Sequence, residues 1–316
     1  MTTAPAKKRH ASIPRSKSEE LQTDLMFGQD SENVDGSDPV NERFRRIWKP
    51  CWIDYPMASE GLARLDRLYR LPKSHRPKGA LIVGDPNMGK TSLVREFQRA
   101  KNPKIDPKEE LTRVPVVYIQ SPPTADGAGI YTAILRALNA PFRAGSRILE
   151  KQDQVLSLLG KLDTKVLVIA EMHNMLDGKV DQRGIYMNVL RHLSNDLQLS
   201  IVGVGTTSVL RAVQTDQQLG SRMEPFRLRN WKFGTDYCNF IFNICAHAGI
   251  SNFDAIRNKA FLDRIHRLSG GLTGETWELM GRLIETAFDN NDGTFDPKML
   301  DKLNWIAPDD RRSAAE

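Results

Sequence analysis

The stretch Gly79-Ala-Leu-Ile-Val-Gly-Asp-Pro-Asn-Met-Gly-Lys-Thr-Ser-Leu93 constrains this chain more than any other. Gly84 to Thr91 fits G-x-x-x-x-G-K-T. An apolar run suited to a strand, Ala80 to Val83, precedes it, and a helical pattern with Leu93, Val94 and Phe97 on one face follows. A phosphate-binding loop requires that strand–loop–helix context. Glycines at 84 and 89 let the backbone curl until its N–H groups converge on phosphate oxygens. The start of the helix adds partial positive charge at the same point. Lys90 is placed to reach the β- and γ-phosphates, and the Thr91 hydroxyl to ligate magnesium. The whole loop, Gly84, Asp85, Pro86, Asn87, Met88, Gly89, Lys90, Thr91 and Ser92, is the candidate cradle for ATP and Mg2+.

What surrounds the loop is a sequence of alternating patterns. Val114 to Ile119, Lys165 to Ile169 and Leu199 to Val204 are continuous apolar runs, as in strands buried on both faces. Helical patterns separate them at 129–138, 148–162 and 184–198. Strands alternating with helices predict an α/β fold with a parallel sheet. Upstream, Arg43 to Trp48 has helical character, Cys51 to Pro56 is extended, and Ser59 is a candidate N-cap for a helix through Tyr69. From Trp231 the pattern is helical throughout, at 237–248, 258–269, 273–288 and 297–305. The expected organisation is a tail over 1–40, an α/β domain over 41–230, a helical lid over 231–307 and a polar tail over 308–316.

The first tail pairs a basic block (Lys7, Lys8, Arg9, Arg15, Lys17) with an acidic stretch from Glu19 to Asp38, and has too few apolar residues to form a core. No long apolar run or secretory pattern occurs, so a cytoplasmic, non-membrane protein is expected. Cys51, Cys238 and Cys245 lack metal-ligand spacing and are expected as reduced thiols. The net charge of +6 admits a polyanionic partner or an ordinary solvated surface.

A second motif belongs to hydrolysis. An acid at the end of a neighbouring strand usually holds the magnesium shell, and a following glutamate polarises the attacking water. Here the strand runs into Ala170-Glu171-Met-His-Asn174. Glu171 stands where the base belongs, and Ala170 where the magnesium-shell aspartate belongs. Hydrolysis is therefore expected to be weak. Asp85 and Asp177 are the alternative carboxylates.

Taken together, these pieces resemble an AAA+ ATPase, and more closely the TniB/TnsC transposition ATPases. The matching segments are Trp52-Ile-Asp-Tyr-Pro56, Ile82 to Thr91, Glu171-Met-His-Asn174, Val202-Gly-Val-Gly-Thr206 and Ser221-Arg-Met-Glu-Pro-Phe226. The resemblance implies that Ile53, Tyr55 and Pro56 lie against adenine, unless they simply pack the segment. It implies that Thr206 senses the γ-phosphate, unless it is only a helix N-cap. Arg222 would be the finger acting on a neighbouring subunit's nucleotide, with Arg211 and Arg227 as rivals. The usual second-sensor arginine has no counterpart in Gly271-Leu-Thr-Gly-Glu275. Arg143, Ser146, Arg147 and Lys151 would face duplex DNA. By the same resemblance the protein would form a homo-oligomeric ring or filament on DNA. It would link a TniQ-like target selector to a DDE transposase of the TniA/TnsB type. A DNA-independent ATPase that remodels or loads a protein partner, and a nucleotide-gated scaffold with little hydrolysis, remain as alternatives.

Overall fold

Five short runs build one parallel sheet: β1 (Gly79–Val83), β2 (Val116–Gln120), β3 (Val166–Ala170), β4 (Ser200–Gly205) and β5 (Met223–Arg227), in the order β2-β3-β4-β1-β5. The computed structural model describes residues 45, 47–49, 51–103, 113–177, 179–250, 254, 256–291 and 295–313. The basic and acidic N-terminal blocks, the expected start of the α/β domain at residue 41, most of the charged connection between Lys101 and Arg113, the Asp177 carboxylate and residues 314–316 lie outside them.

The central strands β1, β3 and β4 are buried along their whole length. Period-two alternation divides their side chains between two layers. Leu81, Val83, Leu167, Ile169 and Ile201 face α3 (Gly127–Ala137), α4 (Ile148–Lys161), α5 (Val180–Leu197), α6 (Thr207–Thr215) and α7 (Gln217–Gly220). Ala80, Ile82, Val166, Val168, Val202 and Val204 face α1 (Pro56–Arg70) and α2 (Lys90–Lys101), which bring Leu65, Leu93, Val94 and Phe97. The register aligns Val83 with Gly205 and Ile169 with Gly203, so the carboxyl ends of β1, β3 and β4 open on one rim.

A third cluster unites α8 (Thr235–His247), α9 (Lys259–Leu268) and α10 (Thr273–Asn291) through Tyr237, Phe240, Ile265 and Leu283. Trp48, Ile53 and Tyr55 pack against it. Trp48 Nε1 also donates to Glu285 Oε1 at 2.5 Å, tying the N-terminal segment to α10. No helix among the described residues is long and apolar enough to cross a membrane. The three cysteines are unpaired, and burial raises their thiols, that of Cys245 to about 12.

Several local expectations differ from the structure. Helix α1 begins at Pro56, not after Ser59; proline is pre-set for the first helical turn, and the Ser59 hydroxyl instead donates to Asp54 Oδ1 at 2.7 Å. Strand β5 has no counterpart among the expected strands, because Glu224 and Pro225 break its apolar pattern. It is an edge strand with only Met223 and Phe226 turned inward, and proline is tolerated at an edge. The helix expected over 297–305 shrinks to α11 (Met299–Lys302). Residues expected as a polar tail form α12 (Pro308–Ser313), anchored because Arg311 reaches the buried Glu275.

Candidate functional site

The loop after β1 is shaped by backbone constraints. A Cβ at Gly84 would stand 2.8 Å from the Leu228 carbonyl, so only glycine lets the chain leave the sheet there. Asn87 and Gly89 adopt left-handed φ of 64° and 75°, which glycine adopts freely and asparagine tolerates. The Met88 side chain is buried among Ile82, Leu93 and Phe97, leaving only its backbone for a ligand. Helix α2 starts at Lys90 without a side-chain cap and without an acidic residue in its first turn, so its first N–H groups stay open to an anion. Lys90 folds back, donating to the Gly84 and Asp85 carbonyls at 2.9 and 2.6 Å. Burial lowers its pKa, and the Glu171 and Asp85 carboxylates oppose that shift. Thr91 and Ser92 are exposed beside it. These residues fit the phosphates of a nucleotide.

The rest of the rim carries the residues expected to act in hydrolysis. Ala170 is buried inside β3. Glu171 turns out of the strand with φ 52°, a left-handed conformation costly for a non-glycine residue. A 3-10 turn (Met172–Asp177) holds it there, with Asn174 N donating to the Glu171 carbonyl at 3.0 Å. His173 Nε2 lies 3.4 Å from the Glu171 carboxylate, while its buried Nδ1 has no partner. Thr206 stands at the N-cap position of α6 but makes no capping bond; its hydroxyl meets that of Ser208 at 2.6 Å. A magnesium ion fits this set only in part. Thr91 offers a hydroxyl, the Ala170 methyl offers no donor, and no three acids, histidines or cysteines among the described residues converge on a metal position.

A cavity of about 270 Å³ opens beside the loop. Trp48, Ile53, Tyr55, Phe240 and Trp277 line it together with Gly89 and Ser92 of the loop. Apolar walls ending on a phosphate cradle suit a purine base. Tyr55 is shared with the helical cluster, its ring 4.8 Å from that of Trp231, so packing and cavity lining coincide in one residue. Pro56, expected at adenine, is exposed and faces a different depression with Asp236 and Asn239, because it opens α1 and turns away. A larger hollow of about 700 Å³ contains no phosphate-loop residue; it lies at the amino ends of β1 and β5, beside Arg64, Lys78 and Arg222.

The segment 271–275, which lacks the usual second-sensor arginine, touches the loop. Gly274 N, at the start of α10, donates to the Asn87 carbonyl at 2.8 Å, and Glu275 Oε1 accepts from Asn87 Nδ2 at 3.0 Å. The helical cluster thus meets the loop through a glycine and a glutamate. Arg222 lies at the far end of the sheet: its carbonyl accepts from Gly79 N, at the amino end of β1. Its Nη1 donates to Asn195 at 2.7 Å, while its buried Nε has no partner. Arg227 pairs with Val83, on the same rim as the chain's own loop, and Arg211 is exposed on α6.

The sequence matches the family described as Bacterial TniB protein over residues 43–233. The chain belongs to the TniB family. The fold of this TniB protein is that of AAA+ P-loop ATPases. Solved structures from Aeropyrum pernix are similar to it. The ORC2 protein in its ADPNP-ADP complexes has a TM-score of 0.62 at 15% identity, covering 82% of this chain and 70% of that one. The ORC1 protein in complex with DNA has a TM-score of 0.56 at 14% identity, covering 82% and 68%. Cdc6p from Pyrobaculum aerophilum has a TM-score of 0.54 at 19% identity, covering 78% and 66%. Comparison with curated proteins gives no match.

In this TniB protein the loop before α4 presents Arg143 and Arg147 to solvent, with Ser146 N closing a turn on the Arg143 carbonyl at 3.1 Å. Lys151, expected on the DNA face, is buried. Its ammonium holds the Ala144 carbonyl at 3.2 Å and the Thr132 hydroxyl at 3.4 Å, bracing the loop from beneath. Sequence reasoning also missed Trp48, Phe240, Trp277 and Arg311. Each is an ordinary aromatic or basic residue in its own segment, and only packing brings the three aromatics beside the loop and Arg311 to Glu275.

Proposed function

We propose that this protein is an ATP-dependent, DNA-binding regulator of transposition that works in the cytoplasm. It assembles head-to-tail on duplex DNA when ATP is bound, and links a TniQ-like target selector to a DDE transposase of the TniA/TnsB type. The observation that carries the reading is the position of Arg222. It lies six strand positions from Gly84 by the β1–β5 register, roughly 20 Å at the usual rise per residue, and at the wrong end of the sheet for its own nucleotide. A second copy, stacked by a heterologous contact, brings such an arginine to the first copy's phosphates and builds a ring or filament. Family membership supports the link to transposition.

In this reading the residues divide the work. The 84–92 backbone and Lys90 hold the phosphates, and Trp48, Ile53 and Tyr55 cover the base. Glu171, aimed by its left-handed turn and His173, orients water, and Thr206 meets the γ-phosphate side. Arg222 of a neighbour adds positive charge as negative charge shifts toward the leaving group. When bound, magnesium would screen the phosphates through Thr91. Arg143 and Arg147 meet DNA through its backbone, which suits a protein that coats arbitrary sequence.

Electron microscopy with duplex DNA and a non-hydrolysable ATP analogue tests the reading. Rings or filaments that require nucleotide are expected. Monomers that never retain DNA would leave the DNA-independent ATPase that remodels or loads a protein partner. The buried Ala170 favours a second reading, a nucleotide-gated scaffold with little hydrolysis, which phosphate-release measurements separate from the first.

A further inference from the structure

We propose that Glu275 and Arg311 form an ionic relay that sets how strongly the phosphate loop takes the charged part of a nucleotide, with α12 as its handle. Glu275 is 6% exposed, in the first turn of α10, and holds Asn87 of the loop at 3.0 Å. There is no slack at this junction: a Cβ at Gly274 would fall 2.1 Å from Asn87 Oδ1. A buried carboxylate beside a cradle for triphosphate opposes the ligand through like-charge repulsion, which weak screening strengthens. Arg311 removes that charge. Its Nη1 and Nη2 grip the two Glu275 oxygens at 3.2 and 2.6 Å, a bidentate pair.

The cation arrives from outside the cluster. Arg311 rides on α12, its Nε donates to the Ile306 carbonyl at 2.9 Å, and its guanidinium lies 5.0 Å from the Trp305 ring. These contacts aim the fork, yet its side chain remains 42% exposed. Undocking α12 therefore withdraws the cation and leaves Glu275 anionic against the loop. By linkage, nucleotide binding must in turn tighten the docking of α12.

The relay rests on nucleotide binding at this loop. Titrations of ATP and of adenosine into the full chain test it, using wild type, Arg311→Met, Glu275→Gln and the double variant. Arg311→Met should weaken ATP about tenfold, the order expected for one unscreened charge near the phosphates, and leave adenosine within about twofold. Glu275→Gln keeps an oxygen for Asn87 and should bind ATP at least as tightly as wild type. In the double variant it should restore most of the loss, and Arg311→Lys should retain much of the wild-type affinity. Hydrogen exchange over 308–313 should slow when ATP is added. An equal loss for adenosine, a loss that persists in the Glu275→Gln background, or Glu275→Gln alone weakening ATP would reduce Arg311 to a structural prop. A wild type that binds neither ligand defeats the nucleotide assignment itself, an outcome distinct from failure of the relay.

Discussion

Lys90 and Ala170 mark what single side chains contribute. Lys90→Ala should abolish ATP binding in calorimetric titrations, because the cradle loses its buried ammonium; unchanged affinity would move the site elsewhere. Burial depresses the Lys90 pKa below its ordinary 10.5 despite Glu171 and Asp85. The unfolded chain then holds this proton more tightly than the folded, nucleotide-free chain. As pH rises from the depressed value toward 10.5, this group's contribution to stability increases, while affinity for phosphate falls. ATP binding in that window should take up protons, seen as a dependence of binding heat on the buffer's ionisation enthalpy. Ala170→Asp supplies the missing carboxylate and should raise phosphate release about tenfold or more, the order of effect of one positioned group. Equal rates well above background would mean that another group already does this work.

At the scale of elements, the crossing of β4 with the 3-10 turn matters most. A Cβ at Gly203 would meet Met172 Sδ at 2.5 Å and a Leu81 methyl at 2.8 Å. Glycine there lets the turn settle on the sheet, and the turn in turn aims Glu171. Gly203→Ala should destabilise by about 1–3 kcal/mol through overpacking, read by urea unfolding, and should lower turnover more than nucleotide affinity. Wild-type stability and turnover together would show that the turn yields freely. The elements themselves are largely legible in the sequence. The central strands are apolar on both faces, and the helices repeat at 3.6 residues. Strand β5 is hidden because an edge needs only Met223 and Phe226 to be apolar, and α12 because the buried Pro308 and the contacts of Arg311, not an apolar stripe, hold it.

Across the whole molecule, the charged surface and the proposed assembly can be tested by substitution. Arg222→Ala should leave nucleotide binding by the isolated chain near normal and impair nucleotide-dependent assembly, read by light scattering with ATP and DNA. Wild-type assembly would shift the role to Arg227 or Arg211. Arg143 and Arg147 are exposed on one loop, so Arg143→Ala/Arg147→Ala should reduce the salt dependence of DNA binding by roughly one unit of slope per lost phosphate contact. An unchanged slope would remove this loop from the DNA surface. Lys151 belongs outside that experiment, since it supports the loop from within.

The phosphate loop can be recognised from consecutive residues because its function is local. Strand, turn and helix follow one another within fifteen positions, and each residue's conformational preference agrees with its task. Glu171 is legible for the same reason, as the residue immediately after a buried strand. The lining of the cavity beside the loop is not. Trp48, Phe240 and Trp277 come from three distant segments, and hydrophobic patterning says that each is buried without saying against what. The partner of Glu275 lies 36 residues away, on an element too short to announce itself. Pro56 and Lys151 show the converse: neighbours of site residues in sequence, they are turned away by the start of a helix and by burial under a loop. Periodicity assigns a face to a side chain, but only packing in three dimensions pairs that face with another.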